Sequence, residues 1–473
     1  MLKESKQQKL RLGVGRVDIT PKVGVQLAGH IGVKRLMNEV RDRIYATATI
    51  FDDGTTRLCL IAANLLASSN FWSDKLRKQA GDILGIPSEQ LMFHVHQNHA
   101  TPSLGHHFTF ENESSPHMDK WPWLLGGDEE YNPWCVEQIC KAVQLALGDL
   151  TPVTLEAGRG FDGRVAFNRR FILRDGTAVS HISKRKGEHK KILAREGPTD
   201  PEVCVWRFTD ATGKAKALFL HHSCHPCHGF GQQYVVAGWT GQWETDMMTT
   251  TDDELTAITL NGCCGNLHHL DHLSPDAMKD YDLMKGHHKM ASMLTETARQ
   301  TLEDGMNTVV NLPLKSITRT LHIPWRMLTD EELAEAEEKL KKFPEPEWIN
   351  DDKSRVSWDW VYAVGRIDLA AMQRKYRYAP YEIQIFRIGD AAIVGLKGEP
   401  FVEAQLEIKK RSPAPFTTVA HFCNGNAGYL PTLKAFEGGG YETRTGKQSK
   451  HCKEALEMVT QTTIAMLYEL FSE

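Results

Sequence analysis

The alternation of apolar and polar positions along the chain predicts three strand–turn–strand pairs of similar form. They cover residues 43–51 with 57–64, residues 203–209 with 217–221, and residues 381–388 with 391–396. Each pair is rich in β-branched or aromatic residues and surrounds a short turn containing Gly or Asp, which is the pattern of a β-hairpin. A fourth strand is predicted over residues 90–96, after a helical segment at 73–84 and a break at Pro87.

Helical patterns are clear elsewhere in the chain. Apolar residues recur at helical spacing over residues 133–147 and 281–302, and residues 449–471 form a closing amphipathic helix. Thr329 to Glu332 has the form of a capping box that opens a highly charged helix over 331–342.

This charged helix precedes a Pro-rich stretch, so residues 325–375 are predicted to form a peripheral helical insertion. The alternation of strands and helices predicts a mixed α/β (α+β) fold, with central mixed β-sheets built from hairpins and flanked by helices. We expect one large domain over residues 1–473.

Composition excludes several classes of protein. The chain has 56 Lys and Arg against 60 Asp and Glu, and this net charge of −4 offers no general electrostatic grip on nucleic acid. No apolar run approaches the roughly 20 residues of a membrane helix, and the N-terminal segment lacks the apolar region of a secretory signal. We therefore expect a soluble, cytoplasmic protein with reduced cysteines, no nucleic-acid partner and no membrane insertion, and a homo-oligomer is compatible with this picture.

Side chains that can bind metals are concentrated directly after apolar strands. The segments are residues 94–99, 221–228, 398–400 and 424–429, and the first two hold many of the 21 histidines. Loops at strand ends are where α/β proteins commonly build sites. His94 and His96 are predicted to share one strand face, and imidazoles presented together suit Zn²⁺. The alternative for any single histidine is a structural place with backbone partners.

Two cysteine-based interpretations of residues 224–228 and one glycine-rich loop also bear on the predicted site. Residues 224–228 fit the C-x-x-C-H pattern of covalent haem attachment, but that chemistry follows export and no export signal is visible. A structural zinc through Cys224 and Cys227 lacks a second cysteine pair. Gly438 to Gly440 would let the backbone turn and direct Tyr441 inward, with a flexible loop as the alternative.

Several short motifs, in their shared order, resemble the neutral/alkaline non-lysosomal ceramidase family, specifically its catalytic N-terminal domain. They are residues 13–21 (GVGRVDITP), 197–202 (GPTDPE), 224–226 (CHP), 398–401 (GEPF), 428–432 (GYLPT) and 440–442 (GYE). The resemblance runs from about residue 11 to residue 445. We expect a divergent member with a ceramidase-like catalytic domain and without the family's C-terminal immunoglobulin-like domain.

The resemblance implies a zinc-dependent amidase with one ion per chain and a small-molecule substrate. In the family two histidines, a glutamate and a tyrosine hold the ion, and His225, Glu399 and Tyr429 match three of these positions. The chain therefore resembles a metal-dependent hydrolase that cleaves an amide (N-acyl) bond through an activated water.

The first histidine ligand departs from the family pattern. An ungapped alignment with the family's Thr-His-Thr-His-Ser-Gly-Pro motif places His99 on the second histidine and Gln97 on the first. A one-residue shift of the loop would allow His96 to bind the metal, and this is preferred over Gln97, with His94 as the reserve candidate.

The resemblance also implies three catalytic roles. Arg169 follows Asn168 as in the family's substrate-binding Asn-Arg pair, Tyr441 matches a tyrosine that polarises the substrate carbonyl, and His99 is expected to donate a hydrogen bond or carry a proton. Asn266 and His268 stand where ceramidases have Asp and Ser. We therefore expect a smaller and more polar substrate than ceramide.

Two alternative functions remain open at this point. Five tryptophans lie in or near the putative site segments, namely Trp121, Trp123, Trp134, Trp239 and Trp243. Aromatic faces pack against sugar rings, so a metal-dependent enzyme that cleaves a carbohydrate glycoside by hydrolysis or elimination is the second hypothesis, with core packing as the alternative for these tryptophans. The third hypothesis is a metal-stabilised binding protein without catalysis.

Overall fold

The structure is a computed structural model that describes residues 9–106, 115–180, 182, 187–251, 254–274, 286–310 and 312–472. Its α-helices are α1 (Asn70–Leu84), α2 (Pro122–Leu125), α3 (Tyr131–Gly148), α4 (Gly238–Thr249), α5 (Gly286–Asp304), α6 (Asp330–Lys342), α7 (Trp358–Lys375), α8 (Val402–Arg411), α9 (Leu433–Gly438) and α10 (Ala455–Phe471). Short 3₁₀ helices cover Ser88–Gln90, Glu188–Lys191 and Tyr441–Thr443.

The strands of the described residues follow the same chain order. They are β1 (Arg11–Asp18), β2 (Glu39–Val40), β3 (Tyr45–Asp52), β4 (Arg57–Ala63), β5 (Leu91–Val95), β6 (Thr151–Phe161), β7 (Phe167–Asn168), β8 (Arg170–Leu173), β9 (Ala178–Ser180), β10 (Ile192–Arg195), β11 (Glu202–Asp210), β12 (Ala215–His222), β13 (Tyr234–Val235), β14 (Thr256–Asn261), β15 (Leu267–His268), β16 (Met306–Val309), β17 (Leu314–Pro324), β18 (Tyr378–Ile388), β19 (Ala391–Leu396), β20 (Glu399–Pro400), β21 (Phe416–Ala420) and β22 (Tyr429–Leu430).

Two large mixed sheets form the centre of the fold. The larger has the strand order β14-β12-β11-β6-β1-β3-β4-β5, with β16 paired to β6, and the smaller has the order β17-β18-β19-β21. The three predicted hairpins are confirmed as the antiparallel pairs β3–β4, β11–β12 and β18–β19, and the predicted fourth strand is β5. The predicted mixed α/β fold with helices flanking the sheets is therefore confirmed.

Alternating side chains stack these elements into four layers. On β4, Leu58 and Leu60 pack between the two sheets, whereas Cys59 and Ile61 face α1 and α3. Helices α4 and α5 cover the other half of the same outer face, and α8 and α10 cover the outer face of the smaller sheet. Strands buried on both faces carry nearly continuous apolar runs, which explains the pattern of residues 58–63.

The helix boundaries match the predicted ones with one clear difference. The capping box is confirmed by reciprocal hydrogen bonds between Thr329 and Glu332 at the start of α6. The last helix begins at Ala455 rather than at residue 449, because Cys452 donates a backbone hydrogen bond to Pro324 at the end of β17 and Lys450 accepts one from Arg326. The predicted helix at 281–302 corresponds to α5, and its residues 281–285 lie outside the described residues.

The segment predicted as a peripheral insertion contains α6 and α7. These helices share a satellite apolar cluster with α2. Trp358 and Tyr362, in the first turns of α7, line the pocket described below. Within the described part of the chain, no helix combines the length and the apolar character that crossing a bilayer requires.

Close contact between β1 and α3 gives a testable requirement for glycine. A Cβ atom at Gly15 would lie 2.1 Å from the backbone oxygen of Ala142 in α3. We expect Gly15→Ala to lower the free energy of unfolding by about 1–3 kcal/mol, because α3 or β1 must move to admit the methyl group. Urea denaturation measures this change.

Gly163→Ala is the matched control, since a Cβ atom there meets nothing within 4 Å. Its stability should stay within about 0.5 kcal/mol of wild type. Equal stability of both variants would show that Gly15 does not make this close contact with the backbone of α3.

Candidate functional site

Strand ends and loops from both halves of the chain meet at a pocket of about 460 Å³. One part of its lining is polar and is formed by Gln97, His99, Arg169, His225, Cys227, His268, His272, Glu399, Tyr429, Tyr441 and Gln448. The other part is apolar or aromatic and is formed by Gly29, Ile31, Leu66, Phe230, Leu270, Trp358 and Tyr362. Six of the seven predicted site residues line this pocket, and His96 does not.

His99 and His225 face each other across the pocket wall. Their Nε2 atoms are 2.7 Å apart. The Nδ1 atom of His99 lies 3.0 Å from the backbone oxygen of Gly29, and the Nδ1 atom of His225 lies 3.3 Å from that of Cys264. The carbonyl oxygen beside Nδ1 of His99 places the proton there, so its Nε2 directs a lone pair at His225. The Nδ1 atom of His225 also lies 3.4 Å from Nη1 of Arg169, and only the tautomer with its proton on Nδ1 presents a second lone pair to His99.

In that tautomer the two facing lone pairs repel each other unless a cation lies between them, whereas the other neutral tautomer of His225 donates a hydrogen bond to His99. Burial, followed by the charge of Arg169, lowers the pKa of His225 well below its usual value, which disfavours a proton there. Metal-binding histidines typically donate the other ring N–H to a carbonyl or carboxylate, and both rings have a backbone oxygen beside Nδ1. The pair therefore has the arrangement of two imidazole ligands.

Glu399 and Cys227 are the anionic candidates beside this pair. Ligand atoms of His99, His225 and Cys227 all lie within 4.8 Å of one another. Burial raises the pKa of the Cys227 thiol to about 12, whereas burial, partly opposed by Arg169, raises that of Glu399 to about 7. The carboxyl group is thus far easier to ionise than the thiol.

The Oε2 atom of Glu399 is buried and has no hydrogen-bond partner among the described residues. A buried polar atom without a partner is costly, and a cation would relieve that cost. Two imidazoles and a carboxylate are a donor set that suits Zn²⁺. The residues present therefore fit a divalent metal ion.

Paired short strands position Glu399 and Tyr429. Strands β20 and β22 are parallel, and these two residues are direct partners in the register. Gly398 has a φ of 64°, and a Cβ atom there would lie 2.5 Å from the backbone oxygen of Gly428. Glycine therefore permits the close approach of the two strands, and the Tyr429 hydroxyl forms a hydrogen bond with the Glu399 carboxylate.

Arg169 organises the opposite side of the polar wall. It is 1% exposed, and its Nη2 donates to the Tyr441 hydroxyl at 2.5 Å and to the backbone oxygen of Gly265 at 2.7 Å. Its Nε donates to Glu442 at 3.1 Å. The resemblance implies that Arg169 contacts the substrate, but its Nε and Nη2 donors are already bonded to protein acceptors.

Tyr441 is directed inward, as the glycines before it suggested. Its hydroxyl is 3.0 Å from that of Tyr429. Burial raises the pKa of Tyr441 well above its usual value, so the phenol keeps its proton at neutral pH and can donate it in a hydrogen bond. Gly440 has a φ of 101°, and a Cβ atom there would lie 2.6 Å from Nη1 of Arg170.

The structure separates His96 from this cluster and places Gln97 in the pocket instead. Gln97 has a φ of 66°, a left-handed conformation that turns the chain directly after β5. His96 therefore points into the interior beside helix α4, where its Nε2 lies 3.9 Å from a Glu244 oxygen. The Gln97 side chain forms a hydrogen bond with Glu399.

The reserve candidate His94 is part of the core packing. Its Nδ1 lies 2.6 Å from the backbone oxygen of His421, and its Nε2 accepts the backbone N–H of Asn261 at 3.1 Å. Both ring nitrogens are thus used to connect β5 with the ends of β14 and β21. His94 therefore has a structural place with backbone partners, which is the alternative stated above for any single histidine.

The five tryptophans that suggested a carbohydrate substrate do not line this pocket. Trp239 and Trp243 lie on α4 and are fully buried in the apolar cluster that it shares with α5, and Trp121 and Trp123 pack against Trp348. Trp134 lies on α3 and packs against the core. Packing accounts for Trp121, Trp239 and Trp243, whereas Trp123 and Trp134 also line a separate pocket of about 960 Å³.

Several pocket residues were not predicted as site residues. Cys227 follows His225 by two positions, but its C-x-x-C-H context is typical of haem attachment or of structural zinc, so it was not predicted as a pocket residue. His268 and His272 lie in a third histidine-rich segment, residues 268–272, which follows β14. This cluster of histidines is a sequence signal from which both residues could have been predicted as site residues. Trp358 and Tyr362 come from α7, and nothing in the sequence predicts that this helix reaches the pocket.

Comparison with solved structures identifies the fold. The neutral ceramidase from Pseudomonas aeruginosa superposes with a TM-score of 0.73 at 17% identity, covering 98% of this chain and 75% of that one. A ceramidase complexed with C2 superposes with a TM-score of 0.72 at 15% identity and the same coverage. The chain therefore has the neutral ceramidase-like fold that its motifs suggested. No protein-family model and no curated protein sequence matches it.

Removing the charge of Glu442 tests the buried network behind Tyr441. Glu442 is fully buried and forms ion pairs with Arg169 at 3.1 Å and Arg170 at 2.7 Å. We expect Glu442→Gln to lower the free energy of unfolding by about 3–5 kcal/mol, because it leaves buried positive charge uncompensated. Chemical denaturation gives the value.

Asp82→Asn is the control, since Asp82 pairs with Lys78 on the surface of α1. That change should cost less than about 1 kcal/mol. A similar small cost for both variants would mean that Glu442 does not hold the network together.

Proposed function

We propose that this protein is a metal-dependent hydrolase that cleaves an amide (N-acyl) bond of a small, polar substrate. The observation that carries the proposal is the facing pair His99 and His225 beside the ionisable Glu399, in a chain with the neutral ceramidase-like fold. The resemblance assigned His225, Glu399 and Tyr429 to the metal, and the proposal keeps His225 and Glu399 as ligands while Tyr429 orients Glu399. His99 replaces His96 as the second imidazole.

His99, His225 and Glu399 would hold the ion, and we take it to be Zn²⁺. Two histidines and one glutamate form a catalytic zinc set that leaves a coordination position open. When bound, such an ion polarises a carbonyl group and lowers the pKa of a water molecule. Tyr429 donates its hydrogen bond to Glu399 and so fixes the orientation of that carboxylate.

Tyr441 is the proposed donor to the substrate carbonyl oxygen. Its protonated hydroxyl is held by Arg169, and a well-placed donor of this kind stabilises a developing oxyanion by about 3–4 kcal/mol. Arg169 is then a positioning residue, because its donors hold Tyr441, Glu442 and a backbone carbonyl instead of the substrate. Its buried positive charge also favours negative charge nearby.

The pocket supports a substrate different from ceramide. Its volume of about 460 Å³ is typical of sites for small molecules. Asn266 is occupied by hydrogen bonds to Glu403 and to the backbone of Val402, so it serves the fold. His268 and His272 bring polar groups to the wall, whereas Phe230 offers an aromatic surface for an acyl group.

Three broader expectations accompany this proposal. Residues 1–473 would act as one catalytic domain, with α6 and α7 as an added helical segment. A cytoplasmic location and homo-oligomer formation stay predictions of the sequence.

Metal analysis of paired variants tests the ligand set. His225→Ala and His99→Ala should each bind one zinc ion fewer than wild type, because each removes one of the two facing nitrogens. His96→Ala is the matched control, since His96 is a buried histidine on the same loop as His99 and lies outside the pocket. Inductively coupled plasma mass spectrometry on the purified proteins gives the stoichiometry.

The opposite result in this set would contradict the assignment. Retention of the ion in His99→Ala together with its loss in His96→Ala would return the ligand role to His96. Loss of the ion in Cys227→Ser would place the thiol in the coordination shell, against the pKa order of the two groups.

Steady-state kinetics of Tyr441→Phe tests the oxyanion donor. We expect kcat to fall about 100-fold or more with little change in KM, because the hydroxyl acts on the transition state. Unchanged kcat and KM would remove Tyr441 from the reaction.

A substrate panel separates the amide and glycoside hypotheses. N-acyl amides with short acyl groups should be hydrolysed, and a chelator should abolish the activity. Turnover of aryl glycosides without turnover of any amide would overturn the proposed reaction class.

A further inference from the structure

A second group of histidines lies outside the pocket, between the loop after β2 and the start of α5. The Nε2 atom of His287 is 3.1 Å from Oδ2 of Asp42, and the rings of His287 and His288 have centroids 4.2 Å apart. Ligand atoms of Asp42, His287 and His288 all lie within 4.8 Å of one another. His228 flanks the group, with its ring centroid 5.9 Å from that of His287.

One histidine of this group and its neighbour His228 each have a buried ring nitrogen without a hydrogen-bond partner among the described residues. His287 is 1% exposed and His228 is 2% exposed. The Nδ1 atom of each is buried and has no hydrogen-bond partner among the described residues. Buried polar atoms are nearly always satisfied in folded proteins, so Nδ1 of His228 is open to a further ligand. In His287 it is Nε2, beside Asp42, that is positioned to bind an ion, and its Nδ1 lies elsewhere on the ring.

We propose that Asp42, His287 and His288 bind a second divalent transition-metal ion of the zinc class, with His228 beside it. Imidazole and carboxylate ligands favour Zn²⁺, Co²⁺ and Ni²⁺ over Mg²⁺ and Ca²⁺, which prefer oxygen ligands alone. The 3.1 Å separation of the Asp42 oxygen and the His287 nitrogen suits two ligands that each lie about 2.0–2.2 Å from one ion.

This site is separate from the candidate catalytic centre. None of Asp42, His287 and His288 lines the pocket. The connection between the two places is His269, whose ring stacks on His228 at 3.9 Å and whose side chain forms a hydrogen bond with the backbone of His225. An ion here would therefore stabilise the layer of histidines behind the pocket wall.

The same ion would join three elements of the fold. Asp42 follows β2 and accepts the backbone N–H of Ala237, which directly precedes α4. His287 and His288 lie in the first turn of α5, and α4 and α5 pack against each other over one apolar cluster. We infer a structural role, because cross-linking of these segments stabilises the folded state over the unfolded chain.

Metal stoichiometry of targeted variants tests the second site. The full-length protein is stripped with a chelator, dialysed, and titrated with Zn²⁺ and separately with Co²⁺, whose visible absorption reports nitrogen coordination. His288→Ala, His287→Ala and Asp42→Asn should each bind one equivalent fewer than wild type. His322→Ala is the matched control, because His322 is an exposed histidine on β17, and it should bind as wild type does.

Thermal denaturation gives a second measurement that does not depend on counting ions. Zn²⁺ should raise the Tm of wild type and of His322→Ala by several degrees more than it raises that of His288→Ala. His288 is exposed, so its replacement should leave the fold intact, and circular dichroism of the metal-free proteins checks this.

The outcomes distinguish this proposal from the proposed function. Wild-type stoichiometry and an unchanged Zn²⁺-dependent Tm shift in all three variants would overturn it, leaving Asp42 and His287 as a simple hydrogen-bonded pair. An equivalent lost in His288→Ala but kept in His225→Ala supports the second site even if the pocket itself binds no metal. An equivalent lost only in His225→Ala supports the pocket site and overturns this one.

Discussion

The buried guanidinium of Arg169 is the interaction around which the polar side of the pocket is built. A charge with 1% exposure must be compensated, and Glu442, two tyrosine hydroxyls and a backbone carbonyl converge on it for that reason. Burial, followed by the same charge, lowers the pKa of His225 and keeps that imidazole neutral. One buried cation thus holds the Tyr441 hydroxyl and lies beside a neutral His225.

The four-layer architecture explains how residues so distant in the chain meet. Strands β5 and β12 belong to the larger sheet, and the short pair β20–β22 follows the smaller sheet, yet all end at the same pocket. The packing between the two sheets holds these ends at fixed separations, while the loops that follow carry the functional side chains. Distances such as the 2.7 Å between His99 and His225 depend on this stacking.

Two histidine groups with different surroundings lie on either side of one wall. The pair at His99 and His225 opens onto the pocket, whereas the group at Asp42, His287 and His288 connects α5 with the loop after β2. His269 stacks on His228, which flanks the second group, and contacts the backbone of His225 in the first. Chemistry and structural support would therefore be assigned to separate ions, joined by a layer of stacked imidazoles.

The sequence by itself determined the hairpins, the capping box and the order of motifs, because period-two and helical patterns are local properties of the chain. Motif order was also sufficient to predict that His225, Glu399, Tyr429, Arg169 and Tyr441 share one site. Only the tertiary structure decided which histidine accompanies them. A single left-handed residue, Gln97, reverses the chain after β5, turns His96 into the interior and brings His99 to the pocket. Backbone torsion at one position is set by packing around the loop, so no periodic pattern in the sequence predicts it. The contact between Asp42 and a helix that begins more than two hundred residues later also depends on tertiary packing, and no local pattern predicts it.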